Sequence, residues 1–498
     1  MSLLEITITG IILIVLIVRL VPNLKKKTIF TYIVFAAGVL IPIHLVVDGY
    51  RWQMIPIFIF TLGLILVRLI QFFQRSKKEF FISNKIIRII SNAFLFLLFI
   101  LSVIFPLLLP VINLPKPSGL YAVGSTSFRM IDNERKEIFT EDSDDYRNLL
   151  VTTWYPAEIG KGMSVNSYWD KKGITGKTYS INADIATYWY SHLSLVKTNS
   201  YKGAPLSTDR KSFPVIIYSH SFYGLNTENT MLMEELASRG YIVFSIAHSF
   251  ETIVSVYPDD EVVPGNLDHI SKLYDSNADI EKQLYVDYAN SDDTKEKTEL
   301  IKQILVVDEM STQLVKTRTE DAIFVLNKIE QLNSKQGIFK AKLDLNQVGI
   351  IGWSFGGATV EEVCIADNRV KAGINIDGWP YGDLFNSDKT ITQPFMMIRS
   401  EAEDEMENII SNLVCEKNEN STYILTIENT WHMNFWDFPL FFKIYKYFGY
   451  WGPIDPLRLL EIERVYIVGF FDQNLKGKEV DMLDGTYDLF PEVIIEVK

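Results

Sequence analysis

Cysteine and histidine are scarce in this chain of 498 residues, which has two cysteines and six histidines. The cysteines, Cys364 and Cys415, form no disulfide framework, and neither has the spacing of a metal site. We therefore expect neither a disulfide-stapled fold nor a Cys/His metal centre. The scarcity of histidine also leaves few candidates for a general base.

Basic residues are in deficit, with 48 Lys and Arg against 61 Asp and Glu and a formal net charge of −13. The deficit is uneven: residues 1–114 contain 11 basic and 3 acidic residues, whereas the remainder contains 37 basic and 58 acidic residues. An acidic body of this size repels a phosphate backbone, so nucleic acid is not expected as a partner.

Long apolar runs fill the basic section. Each is long enough to cross about 30 Å of hydrocarbon as a helix. The first lacks a basic start and carries Glu5, which is not typical of a cleaved leader. We therefore predict a four-helix transmembrane anchor over residues 1–114. The four runs cover residues 3–21, 29–47, 55–73 and 86–109.

The loops between these runs predict an orientation. Basic residues lie between the first and second runs and between the third and fourth, whereas the loop 48–53 holds only Arg51. Positive loops stay in the cytoplasm, so residues 115–498 are predicted to be extracytoplasmic on a multi-pass protein of the cell membrane. His44 and Arg68 are expected at the membrane interface. Since we recognise no pattern of buried charges, a transporter is not expected. The orienting residues are Lys25, Lys26, Lys27, Arg75, Lys77, Lys78, Lys85 and Arg88.

After a proline-containing linker at 115–119, the sequence changes to apolar strands that alternate with helices. Continuous apolar strands of this kind indicate a parallel sheet covered on both faces. Two polar stretches, near 160–210 and 250–309, are interpreted as inserts. The order predicts an α/β-hydrolase fold with a mostly parallel sheet over residues 115–498. Predicted strands cover 149–156, 213–219, 241–247, 370–376, 394–398 and 422–427, and predicted helices cover 227–239, 318–332 and 462–471.

One further strand ends in Gly352-Trp353-Ser354-Phe355-Gly356 and is followed by a helix-forming stretch. A nucleophilic serine must project from a strained turn, where side chains at the two glycines would collide with neighbouring backbone. We therefore interpret this stretch as a nucleophile elbow with Ser354 as the nucleophile.

A serine nucleophile needs a base, which follows the nucleophile along the chain in this fold. His432 is the only histidine after Ser354. The acid that orients the imidazole has two candidates. Asp377 follows a strand beside the elbow, and Asp404 occupies the position used by many members of the fold.

Acyl transfer also needs donors for the oxyanion. The backbone N–H of Phe355 follows the nucleophile, and the loop 219–224 after an earlier strand offers the N–H of Phe222. His220 in this loop precedes the elbow, so we expect it to brace the loop rather than act as the base.

In combination, these motifs resemble the platelet-activating-factor acetylhydrolase type of lipase. The resemblance implies a calcium-independent serine esterase that removes a short or oxidised acyl chain from the sn-2 position of a phospholipid. It also implies Asp377 as the acid. Ser221 and Phe222 depart from the glycine and the smaller apolar residue usual there, which affects the oxyanion loop and the acyl pocket. The motifs are Tyr218-Ser219-His220 with Phe222 and Gly224, residues 236–243, the elbow, Ile376-Asp377-Gly378-Trp379 and residues 432–438.

We therefore predict a membrane-anchored serine hydrolase that acts on a lipid or small ester. This chemistry needs no metal and no cofactor. A general carboxylesterase or polyester hydrolase on the same scaffold is the alternative chemistry. A non-catalytic membrane receptor or assembly protein is the alternative from another class. An aromatic-rich stretch at 431–451 is interpreted as core or as a membrane contact.

Overall fold

The computed structural model describes residues 1–20, 28–73, 85–273, 277–401, 405–483 and 489–498. The alternative acid Asp404 lies outside the described residues, as do the basic loop residues at 25–27, 75, 77 and 78. Two compact units make up the chain. The first unit comprises Met1–Asn113, Ser167–Val196 and Phe441–Ile444, and the second comprises Leu114–Asn166, Lys197–Leu440 and Tyr445–Lys498.

The four long apolar runs of the first unit form helices, as predicted. Among the described residues, three helical ranges are long and apolar enough to cross a membrane: Leu3–Leu20, Trp52–Ile70 and Ile89–Leu108. The second run provides only a shorter apolar helix, Thr31–Val47. A four-helix transmembrane anchor is therefore not confirmed. The helices of this unit are α1 Leu3–Leu20, α2 Thr28–Val47, α3 Ile55–Phe73, α4 Lys85–Leu108 and α5 Ile174–Asn182.

The first unit buries charges that the sequence analysis does not expect. His44, assigned from sequence to the membrane interface, is buried with its Nε2 3.3 Å from Glu5 Oε1. Arg51 forms an ion pair with the same carboxylate and donates from Nη2 to the carbonyl of Leu109 at 2.7 Å. Burying charges is costly unless they are paired. The pairing links three sequence-distant segments inside the unit, and the expectation of no buried charges is wrong.

The second unit is built on an eleven-stranded sheet with the order β13-β12-β11-β10-β9-β5-β6-β2-β1-β4-β3. The six strands from β12 to β6 in that order are parallel to one another. β2 runs antiparallel to β1 and β6, and β13 runs antiparallel to β12. The predicted mixed α/β fold with a mostly parallel sheet is thus confirmed. The strands are β1 Ala122–Lys136, β2 Tyr146–Ala157, β3 Val165–Ser167, β4 Lys197–Lys202, β5 Phe213–Ser219, β6 Ile242–Ala247, β7 Val254–Val256, β8 Val262–Pro264, β9 Leu343–Trp353, β10 Val370–Ile376, β11 Phe395–Ser400, β12 Thr422–Ile427 and β13 Val493–Val497.

Helices cover both faces of the sheet, which explains why its central strands are apolar without alternation. In β5, Val215 and Ile217 pack with residues of α10 and α11, whereas Ile216 and Tyr218 pack with residues of α6 and α14. The 250–309 insert contains the β7–β8 hairpin and helices α7 to α9. The remaining helices are α6 Thr230–Ser238, α7 Leu267–Leu273, α8 Ala278–Asn290, α9 Thr294–Val307, α10 Glu309–Ser334, α11 Phe355–Ala366, α12 Glu405–Glu416, α13 Phe438–Phe441 and α14 Pro456–Lys476.

Candidate active site

Ser354 lies on the sharp turn between β9 and α11. Its backbone has φ +55° and ψ −121°, a conformation that residues with side chains rarely adopt. The flanking glycines permit the turn, because a Cβ at Gly352 would collide with the carbonyl of Gly356, and one at Gly356 with the carbonyl of Ser219. The turn has the geometry expected of a nucleophile elbow.

The structure brings Ser354, His432 and Asp377 together in one hydrogen-bonded row. His432 Nε2 lies 2.9 Å from Ser354 Oγ, and His432 Nδ1 lies 2.8 Å from Asp377 Oδ2. His432 begins a short helical turn, His432–Asn434, after β12, and Asp377 directly follows β10. Each residue therefore lies just after a parallel strand, where the carboxyl ends of the strands meet at one edge of the sheet.

Asp377 is held from several directions. The backbone N–H of Ser400 donates to Oδ1 at 2.8 Å, and the Ser400 hydroxyl lies 3.1 Å from both carboxylate oxygens. The N–H of Asp377 donates to the carbonyl of Ile398 at 2.7 Å, and its φ is +54°. These bonds fix the carboxylate so that Oδ2 faces the imidazole.

The environment of His432 favours its protonated form. Burial alone would lower its pKa, but the hydrogen bond and negative charge of Asp377 outweigh burial and raise the pKa above its ordinary value. An imidazole in this setting is stabilised when it takes a proton from a hydroxyl. The ring of Trp353 packs near the imidazole, with ring centroids 5.4 Å apart.

The two predicted oxyanion residues lie side by side at the same cleft. The rings of Phe222 and Phe355 have centroids 5.7 Å apart, and both residues line the cleft together with Ser354. Phe355 is the first residue of α11, so its N–H has no intrahelical acceptor and lies at the positive end of the helix dipole. The arrangement suits a developing negative charge, while the identity of the donors stays a prediction.

The loop that carries Phe222 is held by buried polar side chains. His248 N–H donates to His220 Nε2 at 3.2 Å, so His220 Nδ1 carries the proton and donates to the carbonyl of Ser221 at 2.7 Å. Burial, aided by the charge of Arg318, lowers the pKa of His220 well below its ordinary value. Glu228 accepts from both the N–H and the hydroxyl of Ser221, at 2.7 and 2.8 Å. His220 thus braces the loop, as expected from sequence.

Beneath this loop lies a charged network that the sequence analysis missed. Arg318 donates to Glu251 at 2.8 Å, and Arg147 pairs with Glu251 at 3.2 Å and with Asp321 at 2.7 Å. Asp321 in turn lies 2.8 Å from His248 Nδ1. A signal was present in the sequence: Arg318 and Asp321 stand three apart on the apolar face of α10, where charges require partners.

The cleft at Ser354 has a volume of about 470 Å³. This lies in the range of pockets that hold small ligands. Most of its wall is apolar or aromatic, whereas polar groups on β11 and α12 mark another part of it. The apolar wall includes Phe222, Phe355, Trp379, Tyr381, Met397, Ile398 and Ile410, and the polar part includes Arg399, Glu407 and Ser411.

Both cysteines are free, and Cys364 is buried. Within the described ranges, no group of three or more His, Cys, Asp or Glu side chains is arranged to hold a metal ion.

Comparison with known proteins relates residues 109–492 to a protein family. That range matches the model of the family described as platelet-activating factor acetylhydrolase, isoform II. The chain is 27% identical over 394 residues to a platelet-activating factor acetylhydrolase of Bos taurus, covering 76% of this chain and 80% of the relative. It is 21% identical over 407 residues to a probable 1-alkyl-2-acetylglycerophosphocholine esterase of Arthroderma benhamiae, covering 76% of this chain and 93% of that relative.

A solved structure supports the fold. The ferulic acid esterase from Streptomyces cinnamoneus superposes with a TM-score of 0.59 at 22% identity, covering 77% of this chain and 99% of the esterase.

Proposed function

Because the chain belongs to the platelet-activating factor acetylhydrolase, isoform II family and is an ester hydrolase, we propose that it works as a serine esterase through Ser354, His432 and Asp377. The observation that carries the proposal is the row of hydrogen bonds from Asp377 through His432 to Ser354, at 2.8 and 2.9 Å. Ser354, at the end of this row, lines a largely apolar cleft. A serine, a base and an orienting acid in this geometry are the elements of acyl transfer.

In the proposed mechanism, Ser354 Oγ attacks the ester carbonyl while His432 Nε2 takes its proton. The tetrahedral oxyanion accepts hydrogen bonds from the N–H groups of Phe222 and Phe355. His432 then gives the proton to the leaving alcohol, which leaves an acyl-enzyme on Ser354. A water molecule deprotonated by His432 hydrolyses this ester, and Ser354 recovers its proton. The carboxylate of Asp377 stabilises the imidazolium both when the acyl-enzyme forms and when it is hydrolysed.

For the substrate, we propose a phospholipid with a short or oxidised sn-2 acyl chain. Phe222 and Phe355 bring aromatic rings close to Ser354, which restricts the space for an acyl chain and favours a short one. The names of two relatives, platelet-activating factor acetylhydrolase and 1-alkyl-2-acetylglycerophosphocholine esterase, point to the same class of ester. Arg399 in the polar part of the cleft offers a cation for an anionic head group.

We further propose that the amino-terminal helices anchor the protein as a multi-pass membrane protein with residues 115–498 outside the cytoplasm. The three apolar helical ranges support membrane association, and the distribution of basic residues supports the orientation. The second unit also exposes aromatic side chains at Tyr447, Phe448 and Tyr450. Such side chains favour the interface between lipid and water. A tether beside a bilayer raises the local concentration of lipid esters.

A substrate panel tests the proposal. Membranes containing the protein are assayed with a phospholipid bearing sn-2 acetyl, the same lipid bearing sn-2 palmitoyl, and p-nitrophenyl acetate, each with the Ser354→Ala variant as the control. We expect Ser354-dependent release of acetate and little release of palmitate. Turnover of p-nitrophenyl acetate without either phospholipid would favour the general carboxylesterase or polyester hydrolase. No Ser354-dependent turnover of any ester would contradict the proposed mechanism.

A further inference from the structure

We propose that Arg318 is a positioning residue that orients the oxyanion donors at Phe222 and Phe355, an inference that rests on the proposed function. Arg318 lies on α10 and is fully buried. It does not line the cleft at Ser354. Its effect on the reaction would therefore pass through the oxyanion loop and α11 rather than through contact with substrate.

The first contact is with the peptide groups just before Phe222. Arg318 Nη1 donates to the carbonyl of His220 at 2.6 Å, and Nη2 donates to the carbonyl of Ser221 at 3.4 Å. The Ser221 carbonyl and the Phe222 N–H belong to one planar trans peptide and point in opposite directions. Holding the carbonyl toward Arg318 therefore aims the N–H away from it.

A second effect concerns the strength of that donor. The Ser221 carbonyl also accepts a hydrogen bond from His220 Nδ1 at 2.7 Å. Donors on a carbonyl polarise its peptide group, and this polarisation strengthens the hydrogen bond given by the N–H of the same peptide. The cationic donor on Arg318 thus both orients and activates the predicted Phe222 donor.

The guanidinium also contacts the ring of Phe355, the residue that carries the second predicted donor. The Arg318 guanidinium carbon lies 4.8 Å from the centroid of the Phe355 ring, a cation–π distance. One side chain therefore contacts the residue that carries one donor and the peptide that carries the other. Since Phe222 and Phe355 are 133 positions apart in sequence, Arg318 provides a common reference for both.

Buried acids hold Arg318 in place. Its Nε donates to Glu251 at 2.8 Å, and Glu251 also pairs with Arg147 at 3.2 Å. Neutralising Glu251 is a rival role for Arg318, because a buried carboxylate without a cation is strongly destabilising. The two roles differ in prediction: charge neutralisation concerns stability alone, whereas positioning concerns stabilisation of the oxyanion.

The experiment separates these roles with paired variants in the full-length protein. In the double variant Arg318→Met with Glu251→Gln, the cation and the acid are removed together, so little unpaired charge is left. Arg318→Lys keeps a charge beside Glu251 but lacks the planar fork that reaches two carbonyls. Arg135→Met is the matched control, because Arg135 pairs with Asp321 of the same network at 2.8 Å, and its other ion pairs are with Asp132 and Glu320 outside the oxyanion loop.

For each variant, thermal unfolding, kcat and KM for p-nitrophenyl acetate, and inhibition by a trifluoromethyl ketone that forms a tetrahedral oxyanion adduct are measured. We expect the double variant and Arg318→Lys to lose kcat by roughly 10- to 100-fold with KM within about twofold, since an oxyanion donor acts mainly on the transition state. The inhibition constant should rise in parallel. The control should keep kcat, KM and the inhibition constant near their wild-type values.

The positioning role would be overturned if a folded double variant had the kcat and the inhibition constant of the wild type. It would also be overturned if Arg318→Lys had the kcat of the wild type. Should the double variant fail to fold, Arg318→Lys decides alone. Failure of the proposed function is recognised separately, because the wild type would then show no turnover that Ser354→Ala abolishes.

Discussion

Replacing Asp377 with Asn should change the tautomer of His432 while leaving the geometry of the site unchanged. Ser400 N–H donates to Asp377 Oδ1 at 2.8 Å, so the amide oxygen of the asparagine is expected to take that position. The amide nitrogen then faces His432 Nδ1, which lies 2.8 Å from the present Oδ2. Because this nitrogen donates, the imidazole proton moves to Nε2, and the ring can no longer accept the proton of Ser354.

The loss of catalytic activity in Asp377→Asn should be large. In a serine protease, the corresponding change of acid to amide costs about 10⁴-fold in kcat, and we expect kcat/KM here to fall by roughly 10³- to 10⁴-fold, about 4 to 5.5 kcal/mol. The pH dependence gives a second signature. Burial lowers the pKa of His432 and the charge of Asp377 raises it, so without that charge the acid limb of the kcat/KM profile should move to lower pH.

The assay is hydrolysis of p-nitrophenyl acetate from pH 5 to 9 by the wild type, Asp377→Asn and Asp404→Asn, with thermal unfolding as a check on folding. Asp404→Asn is the matched control, since Asp404 is the other acid that the sequence allows. We expect it to stay within about threefold of the wild type, as for a group outside the reaction. If Asp404→Asn loses activity and Asp377→Asn keeps it within about tenfold, the assignment of the acid is wrong.

Two further predictions concern acyl length and acid stability. Tyr381 lines the apolar wall of the cleft, so Tyr381→Ala should raise kcat/KM for p-nitrophenyl hexanoate relative to the acetate by about tenfold, the scale of one or two methylenes in an apolar pocket. The control is Tyr447→Ala, because Tyr447 is exposed. An unchanged ratio in Tyr381→Ala would exclude this wall from acyl binding. Burial lowers the pKa of His248 from 6.5 to about 3. Between these pH values the unfolded chain binds more protons than the folded chain. The free energy of unfolding therefore falls as the pH is lowered, by up to about 1.4 kcal/mol per pH unit. His432, with its raised pKa, contributes with the opposite sign, but it does so above pH 6.5 and therefore outside this range. In His248→Gln the fall in unfolding temperature from pH 6.5 to 4 should be shallower than in the wild type, and an equal fall would argue that His248 is not buried in its neutral form.

The features that sequence predicts well here are local or are settled by elimination. The elbow is predictable because the glycines and Ser354 are adjacent, and the conformation of the turn requires them. The position of His432 beside Ser354 is predictable because it is the only histidine after Ser354 in the sequence, while its role as the base stays a prediction. The central strands are predictable because both of their faces are buried, which leaves them apolar throughout.

Features that depend on distant contacts are not predictable in this way. Arg318 and Glu251 are 67 positions apart, and Arg147 and Asp321 are 174 apart. The apolar face of α10 indicates that Arg318 and Asp321 need partners, but the sequence does not say that Glu251 and Arg147 provide them. The buried pair of Glu5 and Arg51 in the first unit is hidden for the same reason. Strand β13 also escapes prediction, since it is a short edge strand, only partly buried, that pairs on one side with β12.

For the acid that orients the imidazole, the sequence predicts two candidates and does not decide between them. Asp377 and Asp404 each follow a predicted strand, and spacing alone does not separate them. The family resemblance favours Asp377, and the 2.8 Å distance to His432 gives this choice a physical basis. Sequence thus proposes the candidates, and the fold places the carboxylate of Asp377, at the end of β10, beside the imidazole.

The proposed function depends above all on Ser354 being a nucleophile that His432 activates. The most direct measurement is labelling of the membrane-bound protein with a fluorophosphonate, followed by mass spectrometry of the modified peptide, in the wild type, Ser354→Ala and His432→Ala. We predict one adduct on Ser354 in the wild type, none in Ser354→Ala, and labelling slowed by at least about 10²-fold in His432→Ala. An unlabelled wild type, or an adduct on a serine other than Ser354, would contradict this prediction.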